Sequence, residues 1–278
     1  MKPAAFDYVR AGSVAEATLL LGDANGDAKI IAGAQSLGPM LNLRLVRPPL
    51  LIDITGIPEM TRVDEEGEAI TVGACVTTAN IEDGRVAQSA LPGLPTVAAN
   101  IAYRAVRNRG TIGGSVCHAD PAADWVSALS VLGAECIVAG VSSNRRIAIE
   151  QFITGAFETV LEPEEILDAI RIPRPSSEAR VGYSKICRKA GEFAMSIGAV
   201  LHDPARDIFR MVIGATQGRP IVIADARKYC SGGSPAGGAR IEQDAIVELF
   251  EERGITSPVA RRQHTAVLQR ALDQVARS

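Results

Sequence analysis

Two short segments combine residue types that can hold a phosphate. Ala32-Gly33-Ala34-Gln35-Ser36 follows the apolar run Lys29-Ile30-Ile31 and leads into Leu37. An anion at such a strand-to-helix turn needs amides turned toward it, no bulky Cβ in the way, and a hydroxyl donor. Gly33, Ala34 and Ser36 meet those needs, although small residues also serve strand-to-helix turns for steric reasons alone. The second segment, Arg109-Gly110-Thr111-Ile112-Gly113-Gly114-Ser115, sets paired glycines between two hydroxyl side chains. Backbone can approach a phosphate or ribityl group very closely there. Neither segment is G-x-G-x-x-G or a Walker loop, which disfavours the standard dinucleotide and mononucleotide folds. Taken together, two such loops can clamp a pyrophosphate from opposite sides.

Other chemistry is sparse. The five cysteines, Cys75, Cys117, Cys136, Cys187 and Cys230, are scattered and form no C-x-x-C pair, and the three histidines, His118, His202 and His264, are isolated. Iron–sulfur and structural zinc sites need clustered ligands, so no metal is expected in this chain. A disulfide scaffold is excluded on the same spacing. With 32 acidic against 29 basic residues and 4% aromatics, the chain lacks the basic excess and stacking rings of a nucleic-acid binder. Its start, Met1-Lys2-Pro3-Ala4-Ala5-Phe6, lacks the apolar core of a secretory signal, and no apolar run approaches the ~20 residues of a membrane span. The expected setting is a reducing cytoplasm.

The elements that must position the two loops follow from the surrounding pattern. The 278 residues, 47% hydrophobic, allow one large or two ordinary domains. Ser13-Val14-Ala15-Glu16 has capping-box spacing, with Ser13 accepting from the amide three residues on and Glu16 reaching back to the Ser13 amide. Lys29 to Ile31 is a strand, a short helix near Pro39 carries Leu41, Leu43 and Leu45, and Leu50 to Asp53 is the next strand. The first loop therefore lies at a strand's carboxyl end in a βαβ unit. Further strands are expected over 69–76, 133–139, 145–149 and 167–172. Helices are expected over 92–102 and 121–132, the second capped by Asp120, with Arg107 to Ser115 as the loop between them. The Pro/Ser stretch 173–177 marks a boundary. Beyond it, 181–188, 193–201 and 207–215 predict a three-stranded antiparallel sheet. Helices follow over 241–253 and 258–276, with 231–238 a mobile surface loop. The expectation is an α+β chain with domains 1–175 (subdomains about 1–58 and 59–175) and 176–278.

The combination resembles a known family. Ile31-Ala32-Gly33-Ala34-Gln35-Ser36-Leu37 with Leu43-Arg44-Leu45 is similar to the I-A-G-G-Q-S-L…L-R-L signature of the FAD-binding medium subunits of molybdenum hydroxylases, the xanthine dehydrogenase and carbon monoxide dehydrogenase family. Val106 to Asp124 resembles that family's second FAD motif over nearly its whole length. Leu51-Ile52-Asp53-Ile54, Thr71-Val72-Gly73-Ala74 with Thr77-Thr78, and Arg188-Lys189-Ala190-Gly191-Glu192 match in order. The likeness runs from about residue 3 to residue 216 and fades beyond.

The resemblance implies a p-cresol methylhydroxylase-type FAD domain followed by a small C-terminal domain. It places Ala32, Gly33, Ala34, Gln35, Ser36 and Leu37 on one side of a non-covalently held FAD pyrophosphate, and Thr111, Ile112, Gly113, Gly114 and Ser115 on the other. Asp124 would bond polar atoms of the cofactor, Cys117 would lie near the ring, and Lys185 and Phe193 would line the flavin from the C-terminal domain. No catalytic residue is expected in the chain itself. The implied role is electron transfer from two [2Fe–2S] clusters of a small partner subunit, through FAD, to a terminal acceptor. A large partner would carry the molybdopterin cofactor, and the whole would be a dimer of heterotrimers. A self-sufficient FAD reductase and a non-catalytic nucleotide-binding module are the alternatives. Three positions depart from the family pattern: Ala34 stands for a second glycine, Phe193 for a tyrosine in some relatives, and Cys117 for a small apolar residue. Several residues keep simpler readings beside the cofactor ones: Asp120 as a helix cap, Lys185 as a snorkelling surface lysine, and Arg104, Arg107 and Arg109 as solvated charge, an anion guide or a partner contact.

Overall fold

The computed structural model describes residues 2–65, 67–86, 91, 93–142, 144–232 and 235–277. The chain opens with β1 (Asp7–Arg10), α1 (Val14–Asp23), β2 (Ala28–Ile31), α2 (Leu37–Asn42) and β3 (Leu50–Asp53). Their strands form a parallel sheet in the order β1-β3-β2. Alternation sends Val9, Ile30 and Ile52 toward the main core. At the start of α1 the Ser13 hydroxyl accepts the Glu16 amide at 3.1 Å, as expected. The Glu16 carboxylate, however, takes the Gly12 amide at 2.7 Å, one residue earlier than a strict capping box. The helix after the first loop is also shorter than expected. It starts at Leu37, buries Leu41 alone, and leaves Leu43 and Leu45 exposed, because Arg44 at φ +58° turns the chain out of the helix.

The next unit contains β4 (Val63–Asp64), β5 (Ala69–Gly73), α3 (Thr78–Glu82), α4 (Leu94–Ala99), α5 (Arg104–Arg107), α6 (Ile112–His118), α7 (Asp124–Val131), β6 (Glu135–Ala139), β7 (Asn144–Ala148) and α8 (Ile149–Phe152). A short ribbon of β8 (Ile153–Gly155) and β9 (Glu158–Thr159) leads into β10 (Ile166–Pro173). An antiparallel sheet runs β4-β5-β10-β6-β7. Two expectations are corrected. The segment 107–115 is no plain loop, since its glycine pair lies in the first turn of α6. The helix expected from Pro121 begins at Asp124, and Asp120 instead closes a turn by accepting the Ala122 amide at 2.9 Å. Of the helix expected over 92–102, Pro92 lies outside the described residues.

The C-terminal part carries β11 (Arg180–Ile186), β12 (Ser196–Asp203), β13 (Ile208–Gly214) and β14 (Ile221–Ile223) as one antiparallel sheet in chain order. This is four strands where three were expected. Phe193 precedes β12 rather than belonging to it. A ribbon of β15 (Cys230–Ser231) and β16 (Arg240–Ile241) flanks the segment expected as a mobile loop, of which Gly233 and Ser234 lie outside the described residues. The chain finishes with α9 (Gln243–Glu252) and α10 (Pro258–Arg277). Helix α10 lies across β11 and β12, joining Leu268, Ala271, Leu272 and Val275 to a second core with Met211, Ile213 and Phe250.

Helix α7 ties the two parts together. All eight of its residues are buried, and it packs on β12 and β13. The main core crosses that seam, taking in Ala199, Leu201 and Val212. Backbone bonds cross it too: Ala102 N–H donates to Gly191 O at 3.1 Å, and Ala215 N–H to Pro121 O at 3.0 Å.

Candidate functional site

The first loop leaves the parallel sheet at its carboxyl edge, where Arg10, Asp53 and Ile31 stand in one register row. Among the described residues the amides of Gly33, Ala34, Gln35 and Ser36 donate to no acceptor, and the Ser36 hydroxyl has no partner. Consecutive unpaired amides at the start of a helix form an anion-binding nest. The loop is held open by the Gln35 side-chain amide, which donates to Gly33 O at 2.9 Å. Ala34 adopts φ +60°, the left-handed conformation that favours glycine. Gly33 is required for a different reason: a Cβ there would overlap the Arg109 carbonyl and lie 2.8 Å from Gly110 Cα. The two loops are in direct contact.

The second loop has spent most of its donors inside the protein. Thr111 caps α6 by accepting the Gly114 amide at 3.0 Å, and the Ser115 amide donates to Thr111 O at 3.1 Å. Ile112 N–H donates to Val76 O and Gly113 N–H to Ala74 O, both at 3.0 Å. A Cβ on Gly113 would overlap the Ala74 side chain and lie 2.7 Å from its Cα and carbonyl oxygen. The Ser115 hydroxyl and the exposed backbone face of Gly114 are what this loop still presents. The donors for a bound anion therefore lie on the first loop, and the second forms a wall fixed to the segment that follows β5.

Asp124 and Lys185 meet across the seam. Lys185 Nζ lies 3.0 Å from Asp124 Oδ1 and 3.1 Å from Oδ2, with side chains only 8% and 6% exposed. The ammonium also donates to Asn100 O at 2.9 Å and Glu192 O at 3.4 Å. The Tyr183 hydroxyl donates to Asp124 Oδ1 at 2.7 Å. Burial raises the Asp124 carboxyl above its ordinary range, with Lys185 and Tyr183 opposing the shift. Burial and the adjacent carboxylate push the Tyr183 phenol well up, so it stays a donor. Lys185 is thus no snorkelling surface lysine; it bonds α7, the end of α4 and the turn before β12 at once.

The remaining expected residues fall into two groups. Phe193 is 64% exposed and Tyr103 is 73% exposed; the backbone pairing of Ala102 with Gly191 brings their segments together. These open rings suit a planar apolar ligand at the seam. Cys117 is packed against the main core near the Leu167 backbone, and burial pushes its thiol up to about 12, which leaves it protonated and unreactive. Arg104 and Arg107 are tied down. Arg107 bonds Glu82 through two nitrogens at 2.8 Å, and Arg104 bonds Glu82 at 2.7 Å and Asp83 at 2.7 and 2.8 Å. Leu37 begins α2 beside the nest.

Sequence reasoning did not find Tyr183, Asn100 or the Tyr8–Asp53 pair. Tyr8 donates its hydroxyl to Asp53 Oδ2, and Thr55 N–H donates to Oδ1 at 2.7 Å. Burial alone would raise Asp53, but these bonds and nearby Arg10 outweigh it and hold the carboxyl below its ordinary value. No local pattern announces such contacts between distant segments. The residues present fit a flavin dinucleotide: an open amide nest, two free serine hydroxyls, glycine contacts that leave no room for side chains, and exposed rings at the seam.

Comparison with known proteins decides the family. Residues 4–175 match the FAD-binding domain of molybdopterin dehydrogenases. The chain belongs to that family. Its cofactor is FAD, and it is an oxidoreductase flavoprotein of the molybdenum hydroxylase group. The beta subunit of caffeine dehydrogenase from Pseudomonas sp. (strain CBB1) is 31% identical over 285 residues, spanning 99% of this chain and 96% of that protein. The medium chain of carbon monoxide dehydrogenase from Hydrogenophaga pseudoflava is 37% identical over 201 residues, 72% of this chain and 70% of that one. Among solved structures, a form of the Hydrogenophaga pseudoflava carbon monoxide dehydrogenase lacking the Mo-pyranopterin moiety superimposes with a TM-score of 0.87. The two are 29% identical, over 99% of this chain and 98% of that one. No helix among the described residues is long and apolar enough to cross a membrane, and no group of His, Cys, Asp and Glu there could hold a metal ion.

Proposed function

We propose that this chain is the electron-transfer subunit of a cytoplasmic, multi-subunit molybdenum hydroxylase, with residues 1–175 as FAD domain and 176–278 closing over it. Bound FAD supplies the redox chemistry, linking [2Fe–2S] clusters of a small partner subunit to a terminal acceptor, while a large molybdopterin subunit oxidises the organic substrate. The chain's own task is placement. The amides of Gly33, Ala34, Gln35 and Ser36, with the Ser36 hydroxyl, receive the pyrophosphate. Leu37, Thr111, Gly113, Gly114 and Ser115 shape the cleft. Phe193 covers the ring from the C-terminal side. Asp124 and Lys185 act by fixing the seam, and Cys117 by filling the core behind the second loop.

The observation that carries this reading is the nest of four partnerless amides set against the Arg109–Ser115 wall. The family resemblance supports assembly as a dimer of heterotrimers. Its test is direct: the purified chain should keep a flavin through desalting, release it on denaturation as unmodified FAD, and take it up again on refolding. A colourless protein that cannot be reconstituted with FAD overturns the proposal. Covalent attachment, for instance through His118, would appear as flavin remaining on the denatured chain.

A further inference from the structure

We propose that Arg109, seconded by Arg10, forms a cationic wall beside the amide nest and makes the chain select a flavin carrying a pyrophosphate over the same ring without one. This deepens the reading above and rests on it. The nest itself offers only dipoles and hydroxyls, whereas a pyrophosphate brings two negative charges. A counter-charge is needed, and the structure holds two unspent guanidiniums at this point.

Arg109 leaves the second loop where its carbonyl lies against Gly33, so its side chain starts at the nest. The side chain is exposed and makes no hydrogen bond or ion pair among the described residues; only the backbone amide is engaged, donating to Val106 O at 3.1 Å. Arg104 and Arg107 of the same segment are engaged by Glu82 and Asp83. Arg10 ends β1 in the same register row as Asp53 and Ile31, one strand beyond Asp53 from the Ile31 that leads into the nest. Its guanidinium lies against Gly56 and is also exposed and unbonded among the described residues. Both guanidiniums favour the ionised form of the Tyr8 hydroxyl electrostatically, although its bond to Asp53 and burial outweigh them. The acid at that edge, Asp53, has its two oxygens taken by Tyr8 and Thr55 and bonds neither arginine. Two forked donors are thus left without a protein partner among the described residues, one of them on the residue whose carbonyl touches Gly33. A guanidinium matches paired phosphate oxygens in geometry as well as charge.

The test uses the full chain stripped of flavin, titrated with FAD and with riboflavin at low and high salt, following flavin fluorescence. The wild type should bind FAD more tightly than riboflavin, by a margin that shrinks with salt. Arg109→Gln should weaken FAD binding about 10-fold, flatten its salt dependence and leave riboflavin unchanged. Arg109→Lys should recover part of the loss, and Arg10→Gln should shift FAD binding in the same direction by less. Unchanged thermal unfolding of the variants certifies their fold. If Arg109→Gln binds FAD within about twofold of the wild type, with the same salt dependence, the proposal is overturned alone. If the wild type binds riboflavin as tightly as FAD, the nest is not a pyrophosphate site and both readings fall together.

Discussion

Replacing Lys185 by methionine tests the seam between the two parts of the molecule. The ammonium is 8% exposed and bonds both Asp124 oxygens, Asn100 O and Glu192 O. Methionine fills a similar volume but leaves Asp124 buried with the Tyr183 hydroxyl as its remaining side-chain partner. Stranding one member of a buried pair costs about 3–5 kcal/mol. Unfolding of 278 residues carries an entropy of about 0.6 kcal/mol per degree if the chain melts as one unit. The expected loss in Tm is then about 5–9 °C. The pH dependence has a definite sign. Burial already raises Asp124, and losing Lys185 raises it further. A carboxyl raised in the folded state contributes stability below its unfolded pKa, and that contribution is lost as pH rises through the folded one. The defect of Lys185→Met should therefore be small in mild acid and grow toward alkaline pH. Adding Asp124→Asn removes the stranded charge and should restore much of the loss. Urea unfolding followed by circular dichroism at several pH values measures all of this. A Lys185→Met loss below about 1 kcal/mol, independent of pH and unaltered by Asp124→Asn, would show that Lys185 does not hold the seam.

Three further predictions concern the loops and the C-terminal domain. Ala34→Gly relieves about 1–2 kcal/mol of left-handed strain at φ +60° and gives back about 0.5–1 kcal/mol in unfolded-state entropy, so urea unfolding should show a small net gain in stability. Gly113→Ala drives a Cβ into Ala74 and should cost about 1–3 kcal/mol while lowering the flavin retained after desalting, read from absorbance per chain. His264 is buried against the Ser196 hydroxyl at 2.7 Å, and burial lowers its pKa. Its neutral form therefore contributes stability above the unfolded pKa of about 6.5, lost as pH falls through the folded value; His264→Gln should flatten that acid limb of the stability profile.

How much of this was legible follows from the range of each interaction. The βαβ unit could be read because Lys29 to Ile31 and Leu50 to Asp53 are compact apolar runs with turn residues between them, and both glycine loops announced themselves by composition. Helix α6 escaped notice because Gly113-Gly114 has poor helix propensity; the helix is imposed by the Thr111 cap and by the approach of Gly113 to Ala74. That approach also reversed part of the expected chemistry, since the amide of Gly113 and the hydroxyl of Thr111 serve the protein rather than lying free. Strand β14 is three residues long, below what alternation can signal. The Asp124–Lys185–Tyr183 cluster joins residues about 60 positions apart, and no local pattern encodes such a meeting. The resemblance to a family marked Asp124 and Lys185 as important, and the structure shows them bonded to each other.

The proposed role requires that this chain move electrons only as part of a larger enzyme. The most direct measurement is anaerobic flavin absorbance while the organic substrate is added, first to the FAD-loaded chain alone and then to the chain assembled with its copurified partner subunits. The isolated chain should not bleach, whereas the assembly should bleach rapidly, and more slowly when Gly113 is changed to a bulky residue. Bleaching and turnover by the isolated chain with a nicotinamide nucleotide and a small substrate would contradict that role, and would make the protein a self-sufficient reductase.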